Sequence, residues 1–138
     1  MAYDPGKALL AGVAALALLP AAAVADEMMT AAEFETFTAG RTLTFAVEGV
    51  VYGTEDYLAD RQVIWAYVGG PCQSGIWYPK GKEICFTYIG DPGPHCRLFW
   101  RQGDGLRATA TTDGPDAPVR EIANSPHRLS CDWPEPGV

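Results

Sequence analysis

The chain has 138 residues, four cysteines and a formal charge of −7. That length allows one domain together with a processed segment, and it excludes a two-half dinucleotide-binding enzyme or a TIM barrel. The acidic balance argues against non-specific binding to nucleic acid or to an anionic membrane surface, because both depend on Lys and Arg.

Residues 1–25 have the pattern of a secretory signal peptide. Lys7 precedes an unbroken apolar run over residues 8–25 that is rich in Leu and Ala. The run ends in Ala23-Val24-Ala25, an A-x-A site, so cleavage is predicted after it and residues 26–138 form the mature domain. The alternative is an uncleaved membrane anchor, because a run of this length is near the lower limit for spanning a bilayer.

A short helix is predicted over residues 31–39. Thr30 and Glu33 form a capping box, in which the Thr hydroxyl accepts from the Glu amide and the Glu side chain reaches back. Phe34 and Phe37 lie on one face, so the helix is expected to dock them on a larger element.

The rest of the chain has short alternating runs separated by Gly and Pro turns, which is typical of an antiparallel meander. Residues 49–60 are rich in turn residues and predict no strand. Seven strands with one flanking helix indicate a mainly β fold, a strongly curved sheet or small barrel with the N-terminal helix packed on it. The predicted strands cover residues 42–48, 61–68, 74–78, 83–89, 96–101, 106–112 and 119–123, and an irregular tail covers residues 124–138.

Four cysteines behind a signal peptide indicate two disulfides. Three connectivities are possible. We favour Cys85–Cys96, across a hairpin, with Cys72–Cys131, which would pin the Pro-rich tail and contribute roughly 3–4 kcal/mol in the chain-entropy model. A metal or redox site is disfavoured because no C-x-x-C spacing occurs.

A motif of aromatic and cysteine residues runs from Gly75 to Cys96. It consists of Gly75-x-Trp77, a turn, then Ile84-Cys85-Phe86-x-Tyr88 and a second Cys one hairpin later. This pattern resembles one in small exported four-cysteine proteins of alphaproteobacteria, and the resemblance covers about residues 28–133. It implies export, a β meander and disulfides. Such families are of unknown function, so the resemblance carries over no catalytic residue.

Catalytic and cofactor motifs are missing from the sequence. It contains no G-x-S-x-G, H-E-x-x-H, P-loop or G-x-G-x-x-G, so we predict no catalytic residue, metal or cofactor. His95 and His127 are isolated and are interpreted as surface loop residues.

An acidic cluster, Glu55, Asp56 and Asp60, surrounds Tyr57. Such a cluster could bind a cation or supply acid–base chemistry. A solvated turn is the favoured interpretation, because charged runs are commonly exposed.

Aromatic residues on four successive strands are the candidate binding residues. In a small barrel they either fill the core, which is the favoured interpretation, or line an apolar cup. On the outer face they would instead form a protein-binding patch. The candidates are Trp65, Tyr67, Trp77, Tyr78, Phe86, Tyr88, Phe99 and Trp100.

These observations together predict an exported, periplasmic, non-catalytic binding module. Its expected partner is an envelope protein or a small apolar ligand. One alternative is a secreted enzyme inhibitor that acts through the Gly90–His95 loop, held by a Cys85–Cys96 disulfide. Others are a membrane-anchored accessory subunit that keeps residues 8–25, and an enzyme that uses the acidic cluster.

Overall fold

The computed structural model describes residues 2, 5–6, 8–19 and 27–131. In this part of the chain a closed barrel of eight antiparallel strands follows one short α-helix. Each strand pairs with the next, and the last pairs with the first. The elements are α1 (Ala31–Thr38), β1 (Thr42–Val47), β2 (Val50–Tyr57), β3 (Gln62–Tyr67), β4 (Cys72–Lys80), β5 (Glu83–Tyr88), β6 (His95–Gln102), β7 (Gly105–Ala110) and β8 (Arg120–Asn124), with a 3-10 turn at Ala59–Arg61. The predicted β meander with one packed helix is confirmed, in its barrel form.

One prediction is wrong, because a strand occupies most of the segment over residues 49–60. Strand β2 pairs with β1 on one side and β3 on the other. A glycine at position 53 is required there, since an added Cβ would lie 2.2 Å from Cζ2 of the Trp65 indole. Glu55, Asp56 and Tyr57 are therefore buried in the barrel wall and lumen instead of lying in a solvated turn.

Both predicted disulfides are confirmed. Cys85 and Cys96 are directly opposed on β5 and β6 and are bonded to each other. Cys72, at the start of β4, is bonded to Cys131, 59 residues later. The second bond fixes the tail after β8 to the barrel, so little regular structure is needed to hold that tail.

The capping box at the start of α1 is also confirmed. The Glu33 amide donates to the Thr30 hydroxyl at 3.2 Å, and the Thr30 amide donates to the Glu33 carboxylate at 3.1 Å. These bonds satisfy backbone donors that the first turn of a helix leaves unpaired. They hold the helix in register with the barrel end below it.

We expect Thr30→Ala to lower the free energy of unfolding by about 1 kcal/mol, the usual value of a hydroxyl cap. Thr30→Ser keeps the hydroxyl and should retain most of the stability. Urea denaturation of the three proteins measures the difference. Equal losses in the Ala and Ser variants would contradict a capping role.

The apolar run before the domain has no place in the barrel. The described part, residues 8–19, has no regular secondary structure, and Leu9 is 97% exposed. No helix among the described residues is long and apolar enough to cross a membrane. The predicted cleavage site at Ala23–Ala25 lies outside the described residues, as do residues 132–138 of the predicted irregular tail.

Candidate functional site

The two ends of the barrel differ, and the difference begins with helix α1. Phe34 is completely buried and packs against rings from four strands, so the helix closes one end of the lumen. Its ring centroid lies 5.8 Å from that of Tyr57, 5.1 Å from Trp77, 6.3 Å from Phe86 and 4.5 Å from Phe99. An interior this narrow is filled by side chains at the closed end.

No helix of the described residues covers the opposite end. Strand alternation and register place six less buried side chains there on the lumen side, and we call this group the open end. Tyr67, two residues after the core residue Trp65, is 57% exposed, and the others are half-buried. The open end comprises Tyr52, Tyr67, Tyr88, His95, Arg97 and Arg120.

The eight aromatic candidates divide into three groups. Trp65, Trp77, Phe86 and Phe99 are buried and fill the core, as the favoured interpretation expected. Tyr67 and Tyr88 belong to the open end. The register places Tyr78 and Trp100 on the outer wall, where both are half-buried. The structure therefore brings only part of the aromatic set to one accessible place.

A buried polar group lies in the lumen. The Glu55 side chain is almost completely buried and accepts a hydrogen bond from the Tyr88 hydroxyl. Burial raises the pKa of Glu55 to about 7, although the hydroxyls of Tyr57 and Tyr88 and the charge of Arg97 oppose the rise. Burial also raises the pKa of Tyr88 well above its usual value, and the neighbouring Glu55 adds to this effect. The Tyr57 hydroxyl is buried without a hydrogen-bond partner, although it lies close enough to influence Glu55.

Arg97 on β6 extends into the lumen between rings from opposite sides. Its guanidinium carbon lies 5.4 Å from the centre of the Phe45 ring and 5.8 Å from that of Phe86. Within the described chain Arg97 makes no ion pair, and its buried Nε has no hydrogen-bond partner. The Arg97 residue is half-buried, so part of it is accessible at the open end.

Arg120 is the contrasting arginine of the open end. It donates to a carboxylate oxygen of Asp113 at 2.7 Å and to the Tyr52 hydroxyl at 3.3 Å. Its charge is therefore already paired. Among the described residues Arg97 makes no such contact ion pair, although its charge acts on Glu55.

The acidic cluster predicted around Tyr57 is not a single site. Asp56 lies on the outer wall, where it accepts from the Thr42 hydroxyl and from the Leu129 amide at 3.4 Å. Asp60 is exposed in the 3-10 turn. The cluster thus contributes Glu55 and Tyr57 to the lumen, while Asp56 ties the tail to the wall.

The two histidines lie in different parts of the fold. His95 is half-buried at the start of β6, and its Nε2 lies 3.1 Å from the Asp91 carboxylate. The Gly93 amide donates to the same carboxylate at 2.9 Å, and these two contacts lower the pKa of Asp91. The loop before β6 is thus braced as the inhibitor hypothesis requires. His127 is exposed in the tail.

Among the described residues, one group of three potential metal ligands lies close together. Glu83 lies beside Cys85 and Cys96, whose sulfurs are joined in the disulfide. Because metals bind the thiolate form of cysteine, this group offers a cation only one carboxylate. It therefore supports no metal centre.

A second concave surface lies on the outer wall across β3, β4 and β5. This outer groove has a volume of about 550 Å³ and is lined by both apolar and small polar side chains. Ile76 is 50% exposed and Ile89 is 81% exposed. The lining on this face includes Leu58, Ile64, Ser74, Ile76, Thr87 and Ile89.

Sequence reasoning missed Arg97 as a site residue. A signal was present: Arg97 alternates with Phe99, so a strand that turns Phe99 inward also turns Arg97 inward. Comparison of the chain with family models, characterised proteins and solved structures gives no significant match.

Proposed function

We propose that this chain is an exported binding protein of the bacterial periplasm that takes a small, largely apolar molecule at the open end of its barrel. The proposal rests on the structural difference between the two ends of the barrel. One end is closed by Phe34, whereas the other presents partly exposed aromatic rings above a core that is already filled. The interior of an eight-stranded barrel either is filled by side chains or holds one small ligand, so a ligand of this barrel would bind above the filled core.

Two further observations support export. Disulfides form and persist in oxidising compartments such as the periplasm, and this chain has two. The described apolar residues 8–19 are exposed and contribute nothing to the core, which suits a segment that is removed. Native mass spectrometry of periplasmic protein from its own source should find a chain that begins at Asp26; retention of residues 8–25 would contradict export with cleavage.

Fluorescence titration with phenylnaphthylamine, a neutral aromatic probe, tests the ligand site. We expect Tyr67→Ala to weaken binding roughly fivefold, because the exposed ring provides stacking area at the open end. Tyr78→Ala is the matched control, since Tyr78 lies on the outer wall. Equal effects of the two substitutions, or no binding of the probe by the wild type, would contradict the proposal.

The outer groove favours a second candidate function, docking of an envelope partner protein. Exposed Ile76 and Ile89 border a concave surface, which is a common feature of protein interaction sites. Native mass spectrometry of the protein from its own envelope fraction tests this function. A complex formed by the wild type but not by Ile76→Asp would support docking, and a bare monomer in both would contradict it.

A further inference from the structure

We propose that Arg97 binds the ionised acid group of the ligand, so that the natural ligand is a small apolar or aromatic anion. The inference rests on the proposed function, because it specifies the chemistry of the same open end. It adds a charge requirement that the aromatic rings alone do not impose.

The first argument is the absence of a partner for Arg97. Placing a charged group in a low-dielectric lumen is unfavourable unless an opposite charge or hydrogen bonds compensate. Within the described residues the guanidinium makes no hydrogen bond and no contact ion pair, Nε is buried and unpaired, and the one carboxyl group whose pKa it lowers is the buried Glu55. An anion that enters the lumen would supply the missing acceptor atoms.

The second argument is that Glu55 does not take this role. Its carboxylate accepts from the Tyr88 hydroxyl, and no ion pair joins it to Arg97. The Tyr57 hydroxyl is buried in the same lumen. Because the Tyr57 hydroxyl interacts with Glu55, the unpaired Nε of Arg97 is the donor in this lumen that an acceptor-rich group would satisfy.

The third argument is geometric. Phe45 and Phe86 lie on either side of the guanidinium, and the Arg97 residue is half-buried, so part of it is accessible. A planar guanidinium held in this way can donate two parallel hydrogen bonds to a carboxylate or sulfonate. The rings of Tyr67 and Tyr88 lie further toward the mouth, where they can contact the apolar part of the ligand.

A matched pair of probes separates charge from apolar contact. Anilinonaphthalene sulfonate is phenylnaphthylamine with one added sulfonate, so the two share the same ring system. Titrations use the full mature domain with both disulfides intact. We expect Arg97→Gln to weaken sulfonate binding about tenfold or more, while affinity for the neutral probe changes less than about twofold.

Three control variants accompany this measurement. Arg101→Gln removes a charge stacked on Phe37 at the closed end, and it should leave both affinities unchanged. Arg97→Lys keeps the positive charge but cannot donate two parallel hydrogen bonds. Its affinity for the sulfonate should therefore lie between those of wild type and Arg97→Gln. Ile76→Asp alters the outer groove only. Near-UV circular dichroism verifies that each variant is folded. If Arg97→Gln does not fold, the sulfonate affinity of Arg97→Lys is compared with that of wild type instead.

The outcomes separate the inference from the proposed function. Equal affinities of wild type and Arg97→Gln for the sulfonate would overturn the role of Arg97 and leave neutral-probe binding at the open end standing. Loss of both probes in Ile76→Asp alone would place binding in the outer groove and overturn both ideas. Failure of the sulfonate alone to bind the wild type would overturn the role of Arg97, and failure of the neutral probe would overturn the proposed function.

Discussion

Phe34→Ala is expected to lower the free energy of unfolding by about 3–5 kcal/mol, the range for removing a buried Phe ring. Phe34 is the apolar residue that α1 inserts deepest, and it contacts rings on β2, β4, β5 and β6. The substitution therefore leaves a cavity at the closed end that no neighbouring side chain can fill. Urea denaturation followed by tryptophan fluorescence measures the loss.

Thr36→Ala on the same helix is the control for Phe34→Ala. Thr36 is exposed, and a surface substitution away from caps changes stability by less than about 0.5 kcal/mol. A loss below about 1 kcal/mol in Phe34→Ala would show that the helix contributes little to the barrel, and the contrast between the two ends would then lose its energetic basis.

Glu55→Gln is expected to make the protein about 3 kcal/mol more stable than wild type above pH 7, and equally stable below about pH 4. In the unfolded chain this Glu loses its proton near its ordinary pKa of 4.5, whereas in the folded protein it keeps the proton up to a pKa of about 7. Raising the pH through this window therefore favours the unfolded wild type. Gln imitates the protonated form at every pH, so the variant avoids the loss.

The measurement is urea denaturation of both proteins from acid to mildly alkaline pH. Other groups also titrate, so the informative quantity is the stability difference between Glu55→Gln and wild type as a function of pH. Glu121→Gln, an exposed substitution on β8, is the control for removing a surface carboxylate. A flat difference for Glu55→Gln would mean that Glu55 is not buried as a proton-retaining acid.

The sequence was sufficient for the class of fold and for the covalent framework. The Thr30 capping box is a local pattern, and local hydrogen bonds decide it. Cys85 and Cys96 could be paired because they flank a turn between two strong strands, so a hairpin places them opposite each other. In both cases the interacting residues are close in sequence.

Strand β2 could not be recognised because its inward face is not simply apolar. Glu55 and Gly53 are residue types that strands disfavour, and both face the lumen. Hydrophobic alternation is the main sequence signal for a strand, and a polar lumen removes it. Gly53 is explained only by Trp65 on the neighbouring strand, which is a tertiary contact.

The open end was partly predictable. Alternation within β6 and within β5 gives the faces of Arg97 and Tyr88, but it does not say which barrel end the helix closes. Which end is closed depends on how the chain turns between α1 and β1, and on the packing of Phe34 against the four aromatic rings described above. Sequence analysis therefore identified Tyr67 and Tyr88 as candidates, but it missed Arg97 and the difference between the two barrel ends.

Closure of the barrel also bears on the timing of folding. The Thr44 hydroxyl donates to the Ala123 carbonyl across the β1–β8 seam, and the two residues are 79 positions apart. Pairing at such separation forms slowly, because closing a long loop costs conformational entropy before the stabilising contacts have formed. A chain that passes unfolded through a translocation channel benefits from this delay, since the seam and the Cys72–Cys131 bond can form only after the distal segment has emerged. If the chain is exported as proposed, this topology would keep it competent for translocation until its cysteines are oxidised.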